Sequence, residues 1–270
     1  MTAPLDPTAA VAELAAAADA NFALHASWVA RHVAGMRVDE LDGLTLVDAG
    51  FATDTFNVVC QARLGAAAPD RIMASIRHFA TAGRPFSWWV GPADQPSDLG
   101  SRLVKAGLHA DESSLAMAAN LASIPAAPAV EGLEVCRVTT LAELEAMATI
   151  MAANWSPPDV DVLRYYRAGA PVLLPAECPV RFYLGLLRGV PVASAEATVA
   201  GGVVGLYGIC TLEAHRRRGI GTAMTTVPLL EARDAGLRTA ILQASADGAG
   251  IYAGLGFGTY GTVTEYKPAP

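Results

Sequence analysis

At 270 residues the chain is long for one minimal domain and about right for two of ordinary size, and with 53% apolar against 17% charged residues it can fill real cores. A net charge of −7 argues against a nucleic-acid partner held by bulk electrostatics and is compatible with a cationic amine. No window offers the ~20 uninterrupted apolar residues of a membrane span, and Met1 to Ala20, carrying Asp6, Glu13 and Asp19 without a basic start, is not a secretory signal.

Pro7 to Val33 reads as a long amphipathic helix, with Val11, Leu14, Ala18, Phe22, His25, Val29 and His32 at three- or four-residue steps. With no acidic or thiol partner at metal-site spacing, His25 and His32 read as helix-surface or core-edge residues. Leu44 to Val47 and Asn57 to Leu64 read as strands, Pro69 to Ala82 as a helix and Phe86 to Val90 as a strand. Another helix, Pro96 to Gly107, and a strand, Ser114 to Leu121, follow. Adjacent residues on a strand face opposite ways, so one of Trp88 and Trp89 enters the core and the other faces a groove, a partner or a second domain; packing of both between sheet and helices is the alternative.

Ser123 to Ala129, rich in proline and small residues, resists both helix and ladder, so the boundary is placed there: 1–124, a linker at 125–130, and 131–270. Beyond it come a strand (Leu133 to Val138), helices (Leu141 to Ala153 and Asp159 to Ala168) and a hairpin, Arg181 to Leu187 and Pro191 to Val199, turning at Arg188-Gly189. An apolar strand, Val203 to Thr211, leads into Arg216-Arg217-Arg218-Gly219-Ile220-Gly221, and a helix leaves it with Ile220, Ala223, Met224, Val227 and Leu230 on one face. Pro228 interrupts that pattern, so a bend is expected there. Thr239 to Ser245 reads as a buried strand, and Asp247 to Phe257 as a short helix closed by glycine. Cys60, Cys136, Cys178 and Cys210 are scattered without C-x-x-C spacing, which suggests neither a zinc site nor a disulfide framework; a reducing, cytoplasmic setting fits, and no metal is expected.

A strand-to-helix junction with glycines at alternate positions can hold a pyrophosphate: the main chain approaches closely and the first free N–H groups of the helix face the anion. Spacing separates the known cradles. A dinucleotide fingerprint needs a third glycine where Met224 stands, and a Walker loop needs a lysine, which is missing between Lys105 and Lys267. What remains, R-x-x-G-x-G at 216–221, resembles the acetyl-CoA loop of the GNAT acyltransferases, and Tyr252 to Phe257 resembles the family's Tyr-x-x-x-Gly-Phe ending. The order of strand, loop, helix, strand, Tyr-bearing helix and last strand is also that family's.

The first half repeats that order without the phosphate loop: Arg63 to Pro69 carries one glycine, and the short helix ending at Gly107 has no tyrosine. The resemblance therefore implies an α/β (α+β) protein with two GNAT-like domains, each a mixed, mostly antiparallel twisted sheet flanked by helices, of which the second alone binds acetyl-CoA between splayed central strands. It implies an N-acetyltransferase working by direct attack. Ile209, Cys210 and Thr211 would contact the thioester arm through their main chain, Arg216, Arg217, Arg218, Gly219, Ile220, Gly221 and Thr222 would hold the pyrophosphate, and Ser245 would lie on the facing strand. Tyr252 takes the place of the tyrosine that protonates the departing thiolate.

The strand from Val203 to Thr211 has no carboxylate to serve as base. Glu196 on the preceding strand is the best substitute: buried among small apolar residues it would have a raised pKa, and on the outer side of the hairpin it would face solvent. Trp155, Tyr165 and Tyr166 fall where the family covers its acceptor, as pocket wall or as core, and His215 reads as a turn residue. A small-molecule amine is favoured over a protein as acceptor, with no nucleic-acid or membrane partner. A non-catalytic acyl-CoA-binding regulatory module and an enzyme using another acyl donor are the rival readings.

Overall fold

In the computed structural model, which describes residues 3–40, 43–246 and 248–269, the N-terminal pattern forms α1 (Val11–His32). It leads to β1 (Arg37–Asp39), β2 (Thr45–Asp48), β3 (Val58–Cys60), α2 (Ala68–Ala82), β4 (Ser87–Val90), α3 (Leu99–Lys105) and β5 (Leu108–Asn120). After a stretch without regular structure at 124–130 the chain forms β6 (Leu133–Arg137), α4 (Leu141–Ala152), α5 (Val160–Leu173), β7 (Val180–Leu187), β8 (Val190–Ala200) and β9 (Val203–Thr211). It ends with α6 (Ile220–Asp234), β10 (Thr239–Ala244), α7 (Ala249–Gly254) and β11 (Gly258–Pro268); the sequence reading opens that short helix at Asp247, which lies outside the described residues.

Local chemistry sets several boundaries. Thr140 and Glu143 close a capping box at the start of α4, the Glu143 carboxylate accepting from the Thr140 N–H at 3.0 Å. Asp159 caps α5 by accepting from the Asp161 N–H at 2.8 Å, and Gly83, with φ of 63°, ends α2 in the left-handed conformation. α5 runs past its expected end at Ala168, through Pro171 to Leu173, and α6 continues through the buried Pro228. β5 begins six residues before the expected Ser114, because the polar run from His109 to Ser113 pairs with β11, for example His109 with Lys267. Its ladder partner overrides a sequence with little strand character.

All eleven strands join one sheet in the order β1-β2-β3-β4-β11-β5-β10-β9-β8-β7-β6. The order is symmetric about the β11–β5 pair: parallel pairs β3–β4 and β9–β10 stand on either side of it. The last strand of each half is exchanged, β5 pairing with β10 of the second half and β11 with β4 of the first. The two halves are thus stitched edge to edge, which leaves neither central edge strand unpaired.

Helices cover both faces. In the second half Ala193, Ala195 and Ala197 of β8 pack in a core with Ile220, Met224 and Leu229 of α6, while Phe182 and Leu184 of β7 join Leu144, Met147, Tyr165 and Tyr166 of α4 and α5 in the core of the opposite face. In the first half Trp88 is wholly buried with Phe79, Phe86 and Ile72 on the α2 side, and Trp89 packs on the α1 side. α1 also reaches across to the second half. Its buried Asn21 directs Nδ2 to the carbonyls of Thr198, Ala200 and Val203 at 2.9, 3.1 and 3.3 Å, and accepts from the Tyr207 hydroxyl at 2.9 Å. This ties the first helix to the β8–β9 hairpin at a buried polar point.

Candidate active site

β9 and β10 pair only from Val204 to Leu206, opposite Ala240 to Leu242, and beyond that point they part. A bulge on β9 sharpens the divergence: between the pairs Glu196–Tyr207 and Ser194–Cys210 two residues, Gly208 and Ile209, stand opposite Ala195. Gly208 has φ of +54°, and a Cβ there would press on the Glu196 carboxylate at 2.7 Å, so glycine is required on both counts.

The gap opens into a cleft of about 860 Å³ beside the start of α6. Ile209, Cys210 and Thr211 form one wall, and Ser245 with Tyr252 of α7 the other. Arg216, Arg217, Gly219, Ile220, Gly221 and Thr222 form the end at the start of α6. Arg218 is exposed and does not line the cleft, and Glu196 lies in a neighbouring pocket. The start of α6 is built for an anion: Gly219 is left-handed with φ of 79°, no side chain caps the helix, and the first intrahelical bond runs from Ala223 N–H to Gly219 carbonyl. The N–H groups of the first turn thus have no partner in the helix, and they sit beside two guanidinium groups at the positive end of its dipole. Arg216 is steadied by donating from Nε to the Thr211 carbonyl at 3.0 Å. A Cβ on Gly221 would meet only Thr211 Oγ1 at 3.8 Å, so the cradle is open there. These features fit a pyrophosphate at the helix end and an extended arm along the splayed strands, as acetyl-CoA would present.

Tyr252 is part-buried, its ring edge-on to Phe257, and burial raises its pKa above the usual phenol value, so it stays protonated at neutral pH. Burial likewise raises the Cys210 thiol, toward which Asn154 donates from Nδ2 at 2.9 Å. His215 lines the cleft beside the arginines, with a buried Nδ1 that has no hydrogen-bond partner.

Glu196 faces inward. It is 2% exposed, on the opposite face of the sheet from α6, at the floor of a pocket of about 250 Å³ that lies between the two halves of the chain. Tyr166 donates to its Oε1 at 2.6 Å, and burial pushes its pKa up to about 7. His25 Nε2 stands 3.8 Å from the same carboxyl. The two are not an ion pair: burial lowers His25 to about 3, and its ring stacks on Tyr207 at 3.9 Å between centroids while Nδ1 meets Thr198 Oγ1 at 2.9 Å. Tyr165 and Tyr166 are both core and pocket wall, whereas Trp155 is 42% exposed. Gly208 and Gln243 line this pocket, while Ile209, next to Gly208, and Ser245, two residues beyond Gln243, line the cleft. Cleft and pocket therefore meet at the splay.

Sequence reasoning did not find Asn154, Asn21 or the part played by His25. The last two belong to a helix that serves the other half of the chain, although a buried-face Asn21 four residues before His25 was a readable signal.

The equivalent gap of the first half is closed. Past the pairing of Val59 with Trp88, the Asp94 carboxylate bridges the strand ends by accepting from the Ala62 and Gly91 N–H groups, each at 2.6 Å, and Arg63 Nη1 donates to it at 3.2 Å. Gln95 N–H to Ala62 carbonyl and Leu64 N–H to Gln95 carbonyl, at 2.9 and 3.1 Å, then rejoin the main chains. α2 begins with a proline in its first turn and Asp70 beside it, an arrangement unsuited to an anion. Among the described residues no cluster has the makings of a metal site, and no helix is long and apolar enough to cross a membrane.

No curated protein matches the chain significantly. Among solved structures, a GCN5-related N-acetyltransferase from Kribbella flavida is similar with a TM-score of 0.72 at 21% identity, covering 93% of this chain and 96% of that one. A tandem GNAT protein from the clavulanic acid biosynthesis pathway is similar with a TM-score of 0.60 at 14% identity over 99% and 98% of the two chains. A GCN5-related N-acetyltransferase from Sphaerobacter thermophilus gives 0.59 at 15% identity over 95% and 91%. These likenesses speak to the fold, and the family model for the acetyltransferase (GNAT) family matches residues 141–257, the segment that holds the cradle, the splay and Tyr252. Residues 141–257 thus match the GNAT family, in a chain whose fold over nearly its whole length is that of the GCN5-related and tandem GNAT structures.

Proposed function

We propose that the protein is an acetyl-CoA-dependent N-acetyltransferase that acetylates a small-molecule amine at the splay of β9 and β10. The observation that carries this reading is the meeting of an anion-binding cleft and a separate pocket floored by a buried carboxyl at one break in the sheet. Acetyl-CoA supplies the activated acyl group, and the residues of the chain position it and manage protons. The start of α6, with Arg216 and Arg217, holds the pyrophosphate; the main chain of Ile209 to Thr211 aligns the arm and offers donors to the charge that develops on the thioester oxygen.

Glu196 takes the proton from an incoming ammonium, leaving a neutral amine whose lone pair attacks the carbonyl carbon. With its pKa near 7 the carboxyl is poised to accept at neutral pH. As the carbon–sulfur bond breaks, the Tyr252 hydroxyl gives its proton to the sulfur; the second proton lost by the attacking nitrogen restores the phenol, and the products are an amide and a free thiol. A regulatory acyl-CoA sensor needs the cleft but neither Glu196 nor its pocket, and their presence favours an enzyme. Thiol release from acetyl-CoA in the presence of amines tests the proposal, and an enzyme inert toward every amine class would overturn it.

A further inference from the structure

The pocket over Glu196 has largely apolar walls. Phe22 and Trp28 of α1, Phe56, Val58 and Trp89 come from the first half of the chain, and Met151, Leu173 and Phe182 face them from the second. Its polar groups are the Glu196 carboxyl, the Tyr166 hydroxyl that donates to it, His25, which burial keeps neutral, and the uncharged side chains of Thr55, Tyr165, Tyr207 and Gln243. Among the described residues lining it there is no lysine, arginine or aspartate, and Glu196 is its one carboxyl. The volume of about 250 Å³ has room for roughly eight non-hydrogen atoms, at the ~30 Å³ a water occupies in the liquid.

Resting on the acetyltransferase reading, we propose that the acceptor is a small monoamine with an apolar, aromatic body, and that the first half of the chain, whose own cofactor gap is closed, serves as the wall that selects it. One ammonium finds one partner at Glu196. A second charge has none: the carboxylate of an amino acid, or the second ammonium of a diamine, would be buried against phenyl and indole faces without a counter-ion. Aromatic rings also suit the remaining surface, since tilted and stacked ring pairs already occur there, Phe22 with Trp89 at 5.5 Å and Phe56 with Tyr165 at 3.6 Å.

The test compares three probes, 2-phenylethylamine, L-phenylalanine and putrescine, by two readouts on the full chain. Tryptophan fluorescence without acetyl-CoA reports binding, because Trp28 and Trp89 line the pocket and their joint replacement by phenylalanine should remove the response. Thiol release with acetyl-CoA reports transfer. The proposal expects saturable quenching by 2-phenylethylamine, and at least a hundredfold weaker binding and lower kcat/KM for the other two. Equal or better binding of L-phenylalanine or putrescine, or no quenching by 2-phenylethylamine, overturns it. Selective binding of 2-phenylethylamine without thiol release from any probe would refute the acetyltransferase reading and leave the ligand preference of the pocket standing.

Discussion

Replacing Glu196 by glutamine separates what the carboxyl costs the fold from what it does for the reaction. The amide keeps the volume and still offers Tyr166 an oxygen to donate to, so the packing around the 2.6 Å bond survives. The proton changes. Burial raises Glu196 from 4.5 to about 7, so between those values the folded state holds a proton that the unfolded chain has released. A raised carboxyl contributes stability that is complete below the unfolded pKa and is lost as pH rises through the folded one. The shift corresponds to about 3 kcal/mol across the window, at 1.36 kcal/mol per pH unit.

Glutamine does not titrate, so the difference in unfolding free energy between Glu196→Gln and the parent should grow in favour of the variant by about 2–3 kcal/mol from pH 5 to pH 8. Urea denaturation at the two pH values measures it, and taking the difference cancels every other titrating group. The same substitution should lower kcat/KM by about 10²–10⁴ and abolish a limb of the pH–rate profile rising near pH 7. A stability difference that is the same at both pH values, with an unaltered rate profile, would refute both the burial argument and the assignment of Glu196 as base.

Tyr252→Phe should lower turnover at least tenfold while calorimetric affinity for acetyl-CoA is preserved; an unchanged rate would remove the acid role. Asn21→Ala strands the Tyr207 hydroxyl and the carbonyls of the β8–β9 hairpin, and should cost about 2–4 kcal/mol in denaturation, where a loss under about 0.5 kcal/mol would mean that α1 is not clamped there. Residues 131–270 produced alone leave β10 without β5 and β11 without either neighbour, so they should be insoluble or unfolded by circular dichroism, and co-production with residues 1–130 should restore the fold.

The elements of the second half were legible because each carries its own period and its own punctuation: the apolar run of β9, the glycines at 219 and 221, and the Tyr252 to Phe257 ending are local signals. The strand exchange was not, since nothing within β5 or β11 states which neighbour it takes. The N-terminal extension of β5, His109 to Ser113, is polar and becomes strand only through its ladder with β11. For Glu196 the alternation of β8 left both faces open, and the decision came from α1 and α5 closing over that side of the sheet. His25 was misleading for the same reason: on its own helix it reads as an edge residue, and it gains its partners, Thr198, Glu196 and Tyr207, from the other half of the chain.

The central claim is that the chain binds one acetyl-CoA, at the start of α6, while the corresponding gap of the first half is sealed by Asp94 and Arg63. Calorimetric titration with acetyl-CoA tests it most directly when the parent is compared with Gly221→Glu, whose side chain has space to enter the cleft and sets a negative charge where the pyrophosphate belongs. One site per chain, lost in the variant, is the predicted result; two sites per chain, or wild-type affinity in Gly221→Glu, would contradict it.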